Sequence, residues 1–348
     1  MDIRKKIFFA SCGIILLVVS FLSRHNFAYG LTTVRNDVNR TVRNVSRRFI
    51  VDESPGVGPG NTPPTVADPE HFSFVVLGDT QLFNVDGASS DGFVNAMKRL
   101  QTIRPDLVMT VGDLVESCES ADDCASFRMW KNIVKPFLPI TYEVEGNHDR
   151  YNADSTDNEW RKYFNLPTNG PAGYEERTYS FDVGNSHFIV LASDFPKEHT
   201  VDQKQLDWLK KDLSGNKREN TFVFFHEPAF PMSYKVGSSL DVNPKRRDAL
   251  WSILDEFAVT AVFNGHEHIY SREIIEPSEF PQVKHSVPQI IIGNTDASDR
   301  ADVTIGNGVD FYHKGHDFIV VSVNGKEITI NTYAAEGGDP VDSFTLPN

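Results

Sequence analysis

Five short motifs in the chain carry side chains that can bind metal ions. In chain order they are GDTQ with Asp79 and Gln81, GDLVE with Asp113, GNHD with Asn147, His148 and Asp149, a single His226, and GHEH with His266 and His268. Each motif follows an apolar run of the length expected for a strand. Because ligands in open α/β sheets bind beyond the carboxyl ends of the strands, we expect the five loops to converge on one site.

The donor types indicate which ions such a site would bind. Carboxylate, amide and imidazole ligands together suit Mn, Fe or Zn better than Ca or Mg. Seven candidate ligands are too many for a single ion, so we expect two ions that share one carboxylate. The candidates are Asp79, Gln81, Asp113, Asn147, His226, His266 and His268.

Each candidate also has an ordinary structural explanation. Aspartates directly after strands are common helix N-caps, Asn147 could supply a turn, and a lone histidine such as His226 is usually a buried core residue. The joint occurrence of five motifs in this order favours the metal site over five separate coincidences. Structural roles are expected for the polar residues outside the pattern, which are Arg150, Tyr270 and the histidines at positions 187, 199, 313 and 316.

The apolar runs and the segments between them predict an α/β fold. Five runs suit strands that are covered on both faces, at residues 72–77, 106–111, 140–145, 221–225 and 260–264. Helical spacing of apolar residues occurs at 92–105, 126–137, 202–213 and 243–257. Residues 179–193 and 317–333 are typical of hairpins, with Gly184-Asn185 and Asn324-Gly325 at their turns, so we expect a mixed sheet system.

The five motifs, in this order and context, resemble those of the calcineurin-like metallophosphoesterases. This dinuclear superfamily includes purple acid phosphatases and bacterial cyclic-nucleotide phosphodiesterases. The resemblance runs from about residue 72 to residue 335. It implies two packed mixed β-sheets flanked by helices and the metal-dependent hydrolysis of a phosphomonoester or a phosphodiester.

The resemblance also implies a role for each residue. Asp79, Gln81 and His268 would hold the first metal, Asn147, His226 and His266 the second, and Asp113 would bridge the two. His148 would act as general acid or stabilise the transferring phosphoryl group, with Asp149 orienting its ring. Two divalent or trivalent ions roughly 4 Å apart would lower the pKa of a bridging water and clamp the phosphate for in-line attack.

Two positions depart from the pattern. Most of the family carries histidine where this chain has Gln81, whose neutral amide oxygen is a harder and weaker donor that favours Mn or Fe over Zn. Alternatively, Gln81 hydrogen-bonds a metal-bound water, or the site has become a binding module, although the presence of His148 argues against the last reading. Purple acid phosphatases carry a tyrosine ligand where this chain has Glu116, so we expect no iron–tyrosinate colour.

Composition limits the classes of partner. The chain has 348 residues, 24% of them charged, and a net charge of −14. An acidic surface makes nucleic acid an unexpected partner, because phosphate backbones select basic proteins. A phosphorylated substrate remains compatible with this charge, since bound metal ions can reverse the sign inside one pocket.

The N-terminal region differs from the rest. Basic MDIRKK precedes an almost wholly apolar stretch, residues 7–22, which is typical of a signal peptide or a short membrane anchor. We therefore expect residues 1–30 to be a signal or anchor, residues 31–70 a basic and then Pro/Gly-rich linker, and residues 71–348 the phosphoesterase domain.

These boundaries predict an extracytoplasmic domain, secreted or held at the cell envelope, with the membrane as a partner if the segment is not cleaved. Six arginines in residues 24–48 argue against easy export. Cys118 and Cys124 lie in one short loop and could form a disulfide in an oxidising compartment, or remain two free thiols.

A second class of function uses the same fold without catalysis, as a membrane-tethered scaffold that binds metal or protein. The complete ligand set and His148 favour the enzyme. Residues 151–164 and 228–244 are expected to form the rim of the pocket.

Overall fold

Two β-sheets packed face to face form the centre of the computed structural model. It describes residues 58–81, 91–118, 124–150, 159–277, 284–297 and 309–346, all within one unit, Ser54–Asn348. In chain order the strands are β1 (His71–Leu77), β2 (Leu107–Thr110), β3 (Thr141–Tyr142), β4 (Tyr179–Val183), β5 (Ser186–Val190), β6 (Asn220–Phe224), β7 (Ala261–Asn264), β8 (Tyr270–Ile275), β9 (Val287–Ile292), β10 (Phe311–His313), β11 (Asp317–Asn324), β12 (Glu327–Ala334) and β13 (Asp342–Thr345).

Both sheets are mixed. The first has six strands in the order β13-β12-β11-β1-β2-β3, with β1 parallel to β2 and antiparallel to β11. The second has seven strands in the order β10-β8-β9-β7-β6-β5-β4, with β5, β6, β7 and β9 parallel. The predicted α/β fold with two packed mixed sheets is therefore confirmed, and both predicted hairpins form.

Helices connect the parallel strands. They are α1 (Gly92–Ile103), α2 (Ala125–Val134), α3 (Glu159–Tyr163), α4 (Gln203–Gly215) and α5 (Pro244–Glu256), with short 3-10 turns at Leu138–Ile140 and Leu240–Val242. Side chains cap two of these helices: Asp202 accepts a hydrogen bond from Gln205 N before α4, and Asn243 accepts one from Arg246 N before α5. Four helices lie where helical spacing predicted them.

The two sheets pack through aromatic rings. Phe74 on β1 of the first sheet lies 5.2 Å from Phe188 and 5.0 Å from Phe222 of the second, measured between ring centroids. These contacts are edge-to-face, the arrangement in which the positive ring edge meets the negative ring face. All three rings are fully buried. This packing holds the strand ends of the two sheets at fixed positions relative to each other.

The described part of the predicted linker lies against the folded domain. Gly60 N donates to Asn165 O at 2.8 Å, and Asn61 Oδ1 accepts from Thr168 N at 3.0 Å. Val66 packs against the core. Residues 58–70 therefore contact the domain, and β1 begins at His71, one residue before the apolar run predicted at 72–77.

The earlier N-terminal predictions fall on residues 1–57, which lie outside the described ranges. Among the residues that the structure does describe, no helix is both long enough and apolar enough to cross a membrane. The signal or anchor segment and the linker boundary at residue 30 therefore stay predictions.

A disulfide joins Cys118, after β2, to Cys124, directly before α2. This contact confirms the pairing that the sequence suggested. Cys124 N also donates to the Tyr163 hydroxyl at 2.8 Å, so the start of α2 is tied to α3 as well.

His187 on β5 links two elements by a pH-dependent contact. Its Nδ1 lies 2.6 Å from Asp182 Oδ1, and its Nε2 lies 2.8 Å from Asp212 Oδ2 on α4. Burial alone would lower the pKa of His187, but the hydrogen bonds to Asp182 and Asp212 raise it to about 9. Because the folded-state pKa lies above the unfolded one, the stabilisation is complete below pH 6.5 and is lost as the pH rises through about 9.

We predict that His187→Gln lowers the free energy of unfolding by about 2–3 kcal/mol at pH 6 and by much less at pH 10. Urea unfolding at the two pH values measures both differences. His71→Gln, which alters an exposed contact to Asp68, is the control and should change little at either pH. An equal loss for His187→Gln at both pH values would show that His187 acts through packing alone.

Candidate metal centre

The predicted ligands lie just beyond the carboxyl ends of strands from both sheets. The strands concerned are β1, β2 and β3 of the first sheet and β6 and β7 of the second. Backbone hydrogen bonds join their loops: Asp79 N donates to Gly112 O at 3.1 Å, and Gly265 N donates to His226 O at 2.9 Å. The five loops therefore converge, as the sequence predicted.

Four of the candidates surround one point. Ligand atoms of Asp113, His226 and His266 all lie within 4.8 Å of one another, and all three residues are buried. Asn147 Oδ1 lies 3.1 Å from His226 Nε2, and Asp113 Oδ2 lies 3.2 Å from the same nitrogen. This group contains the three residues predicted for the second metal together with the predicted bridging carboxylate.

Hydrogen bonds fix how the two imidazole rings face this point. His226 Nδ1 lies 2.8 Å from Val111 O, and His266 Nε2 lies 2.9 Å from Ser238 O. Since a carbonyl only accepts, each of these nitrogens carries the proton. The ligating positions are then His226 Nε2 and His266 Nδ1, and the buried His266 Nδ1 has no hydrogen-bond partner in the described ranges. The donor set therefore fits a metal ion.

The candidates for the first metal lie next to this group. Asp79 Oδ1 lies 3.5 Å from His268 Nε2, and its carboxylate accepts from His266 N at 3.0 and 3.1 Å. Gln81 is half-buried, and its backbone N donates to Asp113 O at 3.0 Å. This bond places Gln81 beside the bridging residue, and its direct ligation of a metal stays a prediction.

Burial and mutual charge set the protonation of the site. Burial alone would raise the pKa of Asp113, but the charge of His226 holds it below its usual value. Burial alone would lower the pKa of His226, but the charge of Asp113 raises it well above its usual range. Burial and then the charge of His226 lower the pKa of His266. The charges of Asp113 and His226 therefore stabilise each other across the 3.2 Å between Asp113 Oδ2 and His226 Nε2.

The backbone is left-handed at several candidate ligands and closely packed at the glycines before Asp113 and His266. Asp79, Asp113 and His266 have φ angles of 50°, 51° and 69°. Such angles are uncommon for residues with a side chain and occur often at functional sites. A Cβ atom added at Gly265 would lie 2.3 Å from Asp79 Oδ2, and one at Gly112 would lie 2.5 Å from His226 Nδ1. The ligands can approach each other only because these positions lack side chains.

His148 lies beside the bridging residue. Its backbone N donates to Asp113 Oδ1 at 2.9 Å. Its ring Nδ1 lies 2.9 Å from Glu116 O, and 33% of the side chain is exposed. The orienting contact of this ring is therefore the carbonyl of Glu116, which differs from the prediction that Asp149 orients it.

Asp149 instead ties two loops together. Its Oδ1 accepts from Leu114 N at 2.8 Å and from Val115 N at 3.2 Å, and its Oδ2 accepts from Gly146 N at 2.9 Å. Three buried backbone donors are satisfied by one carboxylate. The aspartate of GNHD thus holds the GDLVE loop and its own loop in register.

Sequence reasoning missed Glu267, the buried residue between the two GHEH histidines. Its carboxylate accepts hydrogen bonds from Met232 N, Ser233 N and Ser233 Oγ at 2.7–2.8 Å. It therefore fixes part of the predicted rim, residues 228–244, directly onto the metal-binding loop. The signal available in the sequence was the position of Glu267 itself, since a carboxylate between two candidate ligands of an enclosed site needs several donors.

Three further residues lie near the metal loops. Glu227 follows His226, is fully buried, and contacts His199 Nδ1 at 2.6 Å; burial raises the pKa of Glu227 to about 7. Lys235 also lies near Asp79. Burial raises the pKa of the Asp79 carboxyl, and the positive charge of Lys235 is one of those that oppose this rise. His199 therefore makes a structural contact, to Glu227, and this contact lies beside the candidate metal centre.

We predict that Asp149→Asn lowers the free energy of unfolding by about 1–3 kcal/mol, because the amide NH₂ cannot accept from the backbone donors that the carboxylate satisfies. Denaturant unfolding of the metal-free protein measures the change. Asp207→Asn, on the exposed face of α4, is the matched control and should stay within about 0.5 kcal/mol of wild type. If Asp149→Asn left stability unchanged but reduced activity, Asp149 would instead act by orienting the His148 ring, as the family resemblance implied.

Comparisons with known proteins agree with this geometry. A family model described as calcineurin-like phosphoesterase matches residues 72–270. The chain is 28% identical over 137 residues to purple acid phosphatase 15 of Arabidopsis thaliana, covering 37% of this chain and 24% of that protein. It is 28% identical over 207 residues to a 3′,5′-cyclic-nucleotide phosphodiesterase of Nostoc sp., covering 58% of this chain and 67% of that protein.

A solved structure shows the same fold. The purple acid phosphatase PPD1 from yellow lupin (Lupinus luteus) seeds matches with a TM-score of 0.64 and 19% identity, over 79% of this chain and 53% of that one. The chain spans 24–32% of the length of the first curated relatives it matches. The curated relatives named above are a phosphatase and a phosphodiesterase. On the match that covers residues 72–270, the chain belongs to the calcineurin-like phosphoesterase family.

Proposed function

We propose that the chain is a metal-dependent phosphoesterase that hydrolyses a phosphomonoester or a phosphodiester. The observation that carries this proposal is the convergence of Asp113, His226 and His266 ligand atoms within 4.8 Å. Both imidazoles have their other nitrogen bonded to a carbonyl, so the site is arranged for ligation before any ion is present.

The donor chemistry suggests the ions. Asp113 would be shared, Asn147, His226 and His266 would hold one ion, and Asp79, Gln81 and His268 the other. An amide at Gln81 favours Mn or Fe, with Zn as the alternative. When bound, two such ions supply positive charge that polarises the phosphoryl group and acidifies the attacking water.

His148 is the proposed proton donor. Its Nδ1–H donates to Glu116 O, so Nε2 is the nitrogen that can face a substrate. In the imidazolium form, Nε2–H can give its proton to the leaving-group oxygen or donate to a phosphoryl oxygen. The backbone bond from His148 N to Asp113 Oδ1 fixes this ring relative to the bridging carboxylate.

The location proposed for this activity is extracytoplasmic, at the cell envelope or outside the cell. Two features support it. The basic MDIRKK followed by the apolar residues 7–22 is typical of an export signal or anchor. A disulfide joins Cys118 to Cys124, and disulfides persist in oxidising compartments.

The test measures hydrolysis of an aryl phosphate monoester and the matching diester by the full-length chain, with Mn added and then chelated. We expect turnover that requires metal. His148→Ala should lower kcat by about 10²–10⁴-fold while the bound metal is unchanged, because the proton donor is lost and the ligands are not. His285→Ala, at an exposed position, is the matched control and should keep full activity.

Three results would contradict the proposal. Bound metal with no turnover of either ester would favour the alternative of a non-catalytic, tethered scaffold. Turnover that survives chelation, or a His148→Ala variant as active as His285→Ala, would exclude the assigned mechanism.

A further inference from the structure

A short segment of the predicted rim, residues 232–239, lies directly on the metal-binding GHEH loop. We call it the strap. Glu267 accepts hydrogen bonds from Met232 N at 2.7 Å, Ser233 N at 2.8 Å and Lys235 N at 3.3 Å. Since this carboxylate is fully buried, these bonds are shielded from water and hold the first half of the strap firmly.

The rest of the strap is bonded to the ligand histidines themselves. The Tyr234 hydroxyl donates to His266 O at 3.3 Å and accepts from His268 N at 3.1 Å. Ser238 O accepts from His266 Nε2 at 2.9 Å. The strap therefore contacts the GHEH loop through residues on both sides of Lys235. Its position is fixed relative to that of the proposed ligands His266 and His268.

Lys235 lies in the middle of the strap and is half-buried. Its Nζ is 5.6 Å from the centre of the Tyr234 ring, and that ring is 6.1 Å from the ring of His268, centroid to centroid. The ammonium therefore lies beside a ring whose hydroxyl is hydrogen-bonded to the backbone of both GHEH histidines.

We propose that Lys235 is a substrate-binding residue that contacts the non-bridging oxygens of a phosphomonoester dianion and so selects monoesters over diesters. This inference rests on the proposed phosphoesterase function and names its substrate class. A monoester presents two negative charges and three terminal oxygens, whereas a diester presents one charge and two such oxygens. A lysine ammonium is a compact charge with three donors and favours the more highly charged group.

The first measurement is binding of inorganic phosphate, by calorimetry, to the Mn-loaded full-length chain after excess Mn is removed. It needs no turnover, so it tests Lys235 even if the protein hydrolyses nothing. Lys235→Gln should raise the Kd for phosphate about tenfold, because a charge-assisted contact is lost. Lys235→Arg keeps the charge and should stay within about threefold of wild type.

Lys245→Gln is the matched control, since Lys245 is exposed at the start of α5 and outside the strap. It should leave the Kd unchanged. The second measurement compares the KM for an aryl monoester and for the matching diester. Lys235→Gln should raise the monoester KM about tenfold with a smaller effect on kcat, and should raise the diester KM less.

Three outcomes would overturn the inference. They are an unchanged phosphate Kd in Lys235→Gln, an equal loss in Lys235→Gln and Lys235→Arg, and a wild-type chain that binds metal but not phosphate. The second outcome would assign Lys235 a packing role in the strap. Phosphate binding that depends on Lys235, without hydrolysis of either ester, would refute the proposed function and leave Lys235 as a phosphate-binding residue only.

Discussion

The site depends on the burial of one carboxylate between two loops. Asp113 Oδ1 accepts the backbone N–H of His148, and its Oδ2 faces His226 Nε2 at 3.2 Å. The first contact joins two loops of the first sheet, and the second joins them to a loop of the second sheet. Uncompensated, a buried carboxylate would be costly, so His226 stabilises its position, and a bound metal ion would add to this. Every other proposed ligand is placed relative to this group.

Unusual backbone conformations, rather than unusual side chains, allow the candidate ligands to lie close together. Glycines at 112 and 265 leave room that a Cβ atom would fill, and Asp79, Asp113 and His266 adopt left-handed φ angles. Phe74 and its partners fix the two sheets behind the loops, while Asp149 and Glu267 fix the loops and the strap by collecting backbone donors. Rigid packing behind the site and hydrogen bonds around it therefore hold the candidate ligands in one arrangement.

Much of this was predictable from local patterns, and the remainder was not, for identifiable reasons. Continuous apolar runs predicted β1 and β2, and the positions of the motifs after strands predicted that their loops would converge. Residues 140–145 form only the short β3, and Glu145 in that run makes a buried ion pair with Arg177 at 2.7 Å, a partner distant in sequence. β8 contains Arg272, whose partner Asp342 is distant in sequence. The contacts of Asp149, Glu267 and Lys235 arise only when separate loops meet, and no local pattern encodes them.

The central claim is that the chain places two metal ions on either side of Asp113. A crystal structure of the Mn-loaded full-length protein, with anomalous scattering recorded for Mn, tests it most directly. We predict two Mn peaks that share Asp113, one bound by His226 Nε2 and His266 Nδ1 and the other by Asp79 and His268. A single peak, or peaks that do not contact Asp113, would contradict the account.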